Sequence, residues 1–314
     1  MGSIYWPAMD PQAERSATPT PRPLDAVALA RVQRRLHAAA APPWLHAEVA
    51  RRMALRLPII KREPDSIVDW GSFVGAGTTL LRQQYPRARL LAVEADEPRR
   101  RATAAALARP WWSPQRWAAA SGAITADAVP PAQAQLLWSN MTLHGAGDPQ
   151  AVMLQWQRAL QVGGFLMFST FGPGSLRSLA ALYAAQGWPA PFAPFVDMHD
   201  LGDMLVQAGF AEPVMDQETV TLTWPGAEAL LAELRGLGGN VARMRTAGLR
   251  TPRWRARLLA LLQAQAGADG RIALDFELVY GHAFKGEPRH PLAPQTTLPL
   301  DDLRAMVRSP RRRA

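Results

Sequence analysis

The sequence predicts an α/β domain with a doubly wound, mostly parallel sheet, and three features carry the prediction. Short apolar strand patterns alternate with helical patterns from about residue 45 onward. A glycine-bearing turn at residues 71–77 separates the first strand pattern from a helix. Two late strand patterns flank a helical stretch, as an antiparallel pair at a sheet edge would.

The elements follow in order. Leu45, Val49, Met53 and Leu57 recur every fourth position, so residues 44–57 read as an amphipathic helix, with Arg51, Arg52 and Arg56 mostly off the apolar stripe. Residues 67–70 form a strand that runs into the turn, and a helix follows over 78–84. The next strand, 90–93, closes at Glu94 and leads to a helix over 97–107. Residues 109–135 are rich in Ala, Pro and Trp and give no clear pattern. A strand over 135–138 precedes Ser139 and Asn140. Asp148 then caps a helix with Pro149 in its first position. Gly163 and Gly164 turn the chain into a strand over 165–169. A helix at 200–208 stops at Gly209. Strands at 214–222 and 272–280 enclose helices at 226–237 and 252–266.

The ends differ from this pattern. Prolines 7, 11, 19, 21 and 23 stand among Ser, Thr and Ala without an apolar period, so residues 1–30 are expected to be disordered. Residues 287–314 read as a basic, flexible tail with five arginines from Arg304 onward. Between them, 31–286 form one domain with helical insertions near 172–196 and 225–268.

Composition narrows the function. The chain of 314 residues lacks cysteine, which excludes disulfides, thiolate metal sites and cysteine nucleophiles. No apolar run is long enough to cross a bilayer and no signal-peptide pattern opens the chain, so a cytoplasmic protein is expected. The net charge of +9 favours an acidic partner, and residues 31–62 hold eight Arg or Lys against the single acid Glu48. A nucleic-acid partner is less expected, for want of a zinc spacing, helix-turn-helix or aromatic strand motif. No histidine–carboxylate spacing resembles a metal site, so no metal is expected.

The turn carries the first chemical signal. Glycines after a strand let the backbone approach a ligand, and a helix N-terminus offers free N–H groups. Glu94 ends the next strand, 25 residues after Asp69, where an acid can accept the ribose hydroxyls of a nucleoside. Asp69 is placed to orient the loop or to meet a cofactor's ammonium. The loop lacks the G-x-G-x-x-G spacing of dinucleotide sites, and the late strand pair is foreign to them, so S-adenosylmethionine fits better than NAD.

Several stretches resemble one family. They are LLWSNMTLH at 136–144, FSTFGPGSLRSL at 168–179, PFVDMHDLGDMLVQAGFAEPVMD at 194–216 and ELVYGHAFKG at 277–286. Together they look like the malonyl-acyl-carrier-protein O-methyltransferases of biotin synthesis, over about residues 30–286. The resemblance implies a seven-stranded, Rossmann-like methyltransferase sheet, S-adenosylmethionine as cofactor, and methyl transfer to a malonyl thioester on an acyl carrier protein or another acidic thioester carrier. It matches Asp69, Gly71 and Gly75 to the cofactor loop, Glu94 to the ribose acid, Asp127 to the acid near adenine, and Ser139 and Asn140 to the end of strand four.

Two departures stand out. Phe73 occupies the central glycine of the family's D-x-G-x-G-x-G loop, and the aromatic end of strand four is reduced to His144, Gly145, Ala146 and Gly147. A bulky Phe73 either blocks the cofactor's approach or points away. An inactive, methyltransferase-shaped binding protein and a small-molecule O- or N-methyltransferase therefore stay open. His144 is a candidate for positioning the acceptor, and Arg243 and Arg245 for binding a substrate anion. Trp188, Phe192 and Phe195 either wall a channel for a pantetheine arm or pack an added helix. His199, between Asp197 and Asp200, reads as a capping residue.

Overall fold

Successive residues of the central strands pack into opposite apolar layers, so the sheet must be covered on both faces. In the computed structural model, which describes residues 24–108, 121–246 and 248–287, seven strands form one sheet. They are β1 (Ser66–Trp70), β2 (Arg89–Glu94), β3 (Gly122–Thr125), β4 (Ala134–Ser139), β5 (Leu160–Phe171), β6 (Ala211–Trp224) and β7 (Ile272–Phe284). Their order is β3-β2-β1-β4-β5-β7-β6. Strands β1 to β5 pair in parallel, whereas β7 is antiparallel to both β5 and β6. This is the doubly wound sheet with an antiparallel edge that the sequence predicts.

The helices are α1 (Ala26–His37), α2 (Trp44–Ala54), α3 (Ser72–Gly75), α4 (Thr78–Gln84), α5 (Glu97–Leu107), α6 (Pro149–Ala159), α7 (Arg177–Ala185), α8 (Met198–Gln207), α9 (Ala227–Leu237) and α10 (Pro252–Gln263). On one face, Ile67, Leu136, Trp138 and Phe165 pack with Leu45, Val49 and Met53 of α2 and Leu81 of α4. On the other, Val68, Leu137, Leu166 and Phe168 meet Met153 and Trp156 of α6 and Leu201 and Leu205 of α8. Full burial of each such side chain stabilises the fold by roughly 1.5–3 kcal/mol.

Short polar side chains fix where helices begin. Asp96 accepts a hydrogen bond from the Arg99 N–H, Asp148 from Ala151 and Thr251 from Trp254, each cap contributing about 1 kcal/mol. Asp197 caps α8 through the His199 N–H, and His199 Nδ1 lies 2.9 Å from the same carboxylate.

Three expectations need correction. Residues 26–30 belong to α1 and are not disordered, because Asp25 caps that helix by accepting from the Val27 and Ala28 N–H groups. The unpatterned stretch contains β3, and residues 109–120 lie outside the described ones. The glycine pair does not precede β5: the strand starts at Leu160, and both glycines are bonded to Lys285 beyond β7. The expected disordered start up to residue 23 and the basic tail from 288 on lie outside the described residues.

Helix α1 is tied across the cavity described next. Asp25 pairs with Arg245 at 2.6 Å, its N–H donates to the Val241 carbonyl, and Leu24 bridges Ala242. Further along, Arg35 donates to the Gly238 carbonyl, and His37 Nδ1 lies 3.0 Å from Asp96 of the α5 cap.

Candidate active site

The carboxyl ends of β1, β2 and β4 open into a cavity of about 530 Å³. Open parallel sheets bind ligands at such strand ends. One side is formed by Trp70, Gly71, Val74, Val93, Glu94 and Ala126. The other is apolar and aromatic, with His144, Phe171, Tyr183, Phe192 and Phe195. Helix α1 contributes Leu29, Val32 and Leu36 as a roof.

Gly71 lines the cavity with φ of 71°, a left-handed conformation that favours glycine, and a Cβ there would meet Thr142 Cγ2 at 2.5 Å. The next residues coil into the single turn α3, which presents the Phe73 N–H to Glu94 Oε1 at 3.1 Å. The Phe73 ring lies under the Arg99 guanidinium, 3.7 Å from its carbon, and does not line the cavity. The substituted loop therefore turns its bulky side chain outward.

Glu94 is 1% exposed. Its Oε1 also accepts from Thr103 Oγ1 at 2.7 Å, whereas Oε2 is buried with no partner among the described residues. A buried carboxylate oxygen without a donor is costly, and a ligand hydroxyl would relieve it. Burial raises the Glu94 carboxyl to about 7, and the nearby Asp69 charge adds to the rise. Hydroxyl donors favour the ionised form. Affinity for S-adenosylhomocysteine is therefore expected to be level above pH 7 and to fall as pH drops through it, approaching about tenfold per unit for one linked proton. Calorimetry from pH 5.5 to 8.5 checks this, and Glu94→Gln should flatten the profile.

Asp69 is fully buried and does not line the cavity. Its Oδ2 accepts from Ser72 Oγ at 2.8 Å and Thr78 Oγ1 at 2.7 Å, so it braces the turn. Burial pushes its carboxyl up to about 6.

Asn140, Ser139 and Gly75 lie behind the cavity wall. Asn140 Nδ2 donates to the His46 carbonyl at 2.8 Å and the Gly75 carbonyl at 2.6 Å, and Oδ1 accepts from Ser169 Oγ at 2.6 Å. A Cβ on Gly75 would come within 3.0 Å of the Asn140 carbonyl, so this glycine serves close packing. Ser139 Oγ bonds Thr142 Oγ1 at 2.6 Å. The next residues, Met141, Thr142 and Leu143, line the cavity instead. Asp127 follows β3 and is exposed, while its neighbour Ala126 is on the lining.

His144 is in the wall, its ring 4.7 Å from that of Phe171 and 6.3 Å from that of Phe195. Phe192 stacks on Phe195 at 5.4 Å. Trp188 does not reach the lining; it packs on Tyr183 and Trp254. The expected anion-binding pair lies off the lining. Arg243 is exposed and off the lining, and Arg245 is held by Asp25. The guanidinium residues on the lining are Arg35 and Arg235.

Sequence reasoning missed His46, Thr103, Arg35 and Arg235. His46 had a visible signal: with Ala50 and Met53 it follows the buried stripe of α2, where a polar residue is unexpected. Among the described residues no group of His, Asp and Glu is placed to hold a metal, and no helix is long and apolar enough to cross a membrane.

The sheet order, the glycine turn and a buried acid closing β2 define a nucleoside-binding α/β protein of the methyltransferase class. The YcgJ protein from Bacillus subtilis shares this fold, with a TM-score of 0.50 and 11% identity over 76% of this chain and 99% of that one. No family model matches the chain. Its sequence is 36% identical to a malonyl-[acyl-carrier protein] O-methyltransferase from Gallionella capsiferriformans, covering 78% of this chain and 85% of that protein. The enzyme of the same name from Laribacter hongkongensis is 35% identical over 78% and 84% of the two chains. The chain belongs to the malonyl-[acyl-carrier protein] O-methyltransferase family.

Proposed function

We infer that the chain methylates the free carboxylate of a malonyl thioester carried by acyl carrier protein, with S-adenosylmethionine as donor, in biotin synthesis. The observation that carries the reading is the buried Glu94, whose Oε2 lacks a donor beside Gly71 in a cavity with an aromatic far side. When bound, the cofactor supplies a methyl group already activated by its sulfonium. The residues present fit that group: Glu94 accepts ribose hydroxyls, Gly71 permits close backbone approach, and Asp69 braces the turn from behind. Asp127 is assigned to the adenine side. Asn140 and Gly75 hold the turn against the end of β4, and Ser139 braces Thr142 on the lining.

A malonyl carboxylate is ionised at neutral pH and needs no general base, so the protein's task is positioning and exclusion of water. His144, Phe171, Phe192 and Phe195 wall the acceptor side and keep it dry, with His144 set to position the acceptor. Arg35 and Arg235 supply positive charge for its carboxylate. The methyltransferase domain spans residues 31–286 together with the preceding turns of α1. The net charge of +9 suits an acidic carrier, with attraction that weakens in salt. A cytoplasmic location is part of this reading, and the lack of cysteine is compatible with it. Of the two departures behind the inactive alternative, the Phe73 ring under Arg99 speaks against the first.

Methyl-labelled S-adenosylmethionine with malonyl-acyl carrier protein, malonyl-coenzyme A or free malonate tests the reading. Label recovered as a base-labile ester on the carrier protein is the expected result. Transfer to small acceptors alone would favour a small-molecule methyltransferase. S-Adenosylhomocysteine binding without transfer would favour a binding protein.

A further inference from the structure

His46 is a buried polar side chain on the cavity wall that the proposed function leaves without a task. It is 1% exposed and lines the cavity. Its Nδ1 lies 3.0 Å from the Val74 carbonyl oxygen, while Nε2 is buried without a partner among the described residues. A carbonyl oxygen only accepts, so the ring proton sits on Nδ1 and Nε2 carries a lone pair. Burial lowers the imidazole to about 4, so the ring is neutral at working pH. The wall thus presents a neutral acceptor that needs a donor.

The setting narrows the choice of donor. His46 bonds the turn through Val74, and its own carbonyl is held by Asn140 after β4, so the ring is fixed between the turn and the end of β4. A malonyl carboxylate brings no donor and would be repelled by a lone pair. Of the cofactor's donors, the ribose hydroxyls are matched by Glu94. For its α-ammonium, Asp69 Oδ1 also lacks a partner among the described residues, but that side chain stays off the lining, whereas His46 Nε2 is on it.

We propose that His46 Nε2 accepts a hydrogen bond from the α-ammonium group of the methyl donor, recognising the amino-acid end of the cofactor. The inference rests on S-adenosylmethionine being that donor.

Calorimetry on the full chain separates the possibilities, with S-adenosylhomocysteine and 5′-methylthioadenosine, which lacks the amino-acid arm, as probes. His46→Leu is expected to weaken S-adenosylhomocysteine by about ten- to a hundredfold and leave 5′-methylthioadenosine unchanged. His46→Gln, which keeps an acceptor oxygen, should recover part of the loss. Equal weakening of both probes would make His46 a structural residue, and unchanged binding of both would remove it from the site; either overturns the proposal. A measurement on the unmutated chain is independent of variant folding. The nitrogen-15 resonance of the unprotonated His46 nitrogen should move upfield with S-adenosylhomocysteine and stay put with 5′-methylthioadenosine; the same response to both overturns the assignment. A wild-type chain that binds neither probe would instead sink the cofactor reading itself.

Discussion

Glu94→Gln is expected to weaken S-adenosylhomocysteine binding by about a hundredfold or more while leaving the thermal midpoint unchanged or higher. The opposite signs have one cause. The wild-type carboxylate is buried with Oε2 lacking a donor, so the ligand-free fold carries a desolvated oxygen whose cost a neutral amide lessens. The ligand, however, loses charge-assisted hydrogen bonds of about 1.5–3 kcal/mol each, and two of them correspond to that hundredfold or more. Calorimetry beside differential scanning resolves the two effects. A variant that binds as wild type would show that the ribose is held elsewhere.

Asn140→Leu is expected to act on the fold rather than on a ligand contact. The side chain is fully buried and joins α2, the turn and β5 through three hydrogen bonds. An apolar replacement leaves the His46 and Gly75 carbonyls and the Ser169 hydroxyl without that partner, at a cost of roughly 2–4 kcal/mol. The urea midpoint should fall accordingly. Cofactor affinity should fall as a consequence, because Val74, which holds His46, belongs to the same turn. A variant with an unshifted midpoint and selectively lost binding would return Asn140 to direct ligand contact.

The central sheet was legible because buried parallel strands are short apolar runs, as at Ile67–Val68 and Phe165–Leu166. Glu94 was legible for a related reason, since a strand end fixes where an acid must sit. Strand β3 escaped notice because it has four residues, of which only Ala123 is buried. Helix α1 has an apolar set in Leu29, Val32 and Leu36, but prolines run up to its start and hid its onset. Arg245 looked like an anion ligand because its partner Asp25 is 220 positions away in the chain. Asn140 does follow β4 as expected, yet its amide is consumed by backbone carbonyls that no spacing reveals. Phe73 posed a question of direction that only the Arg99 contact answers.

The cavity draws its two sides from separate stretches of chain. The turn after β1, the end of β2 and the residue after β3 make one side, whereas Phe171, Phe192, Phe195 and the segment after α9 make the other. Apart from Phe171 at the end of β5, no residue of the parallel strands has to change for the second set to change. Such a division lets descendants of one scaffold trade acceptors through drift in a few peripheral segments while their claim on the shared donor is inherited intact. It also gives the protein engineer a natural seam along which to recombine relatives.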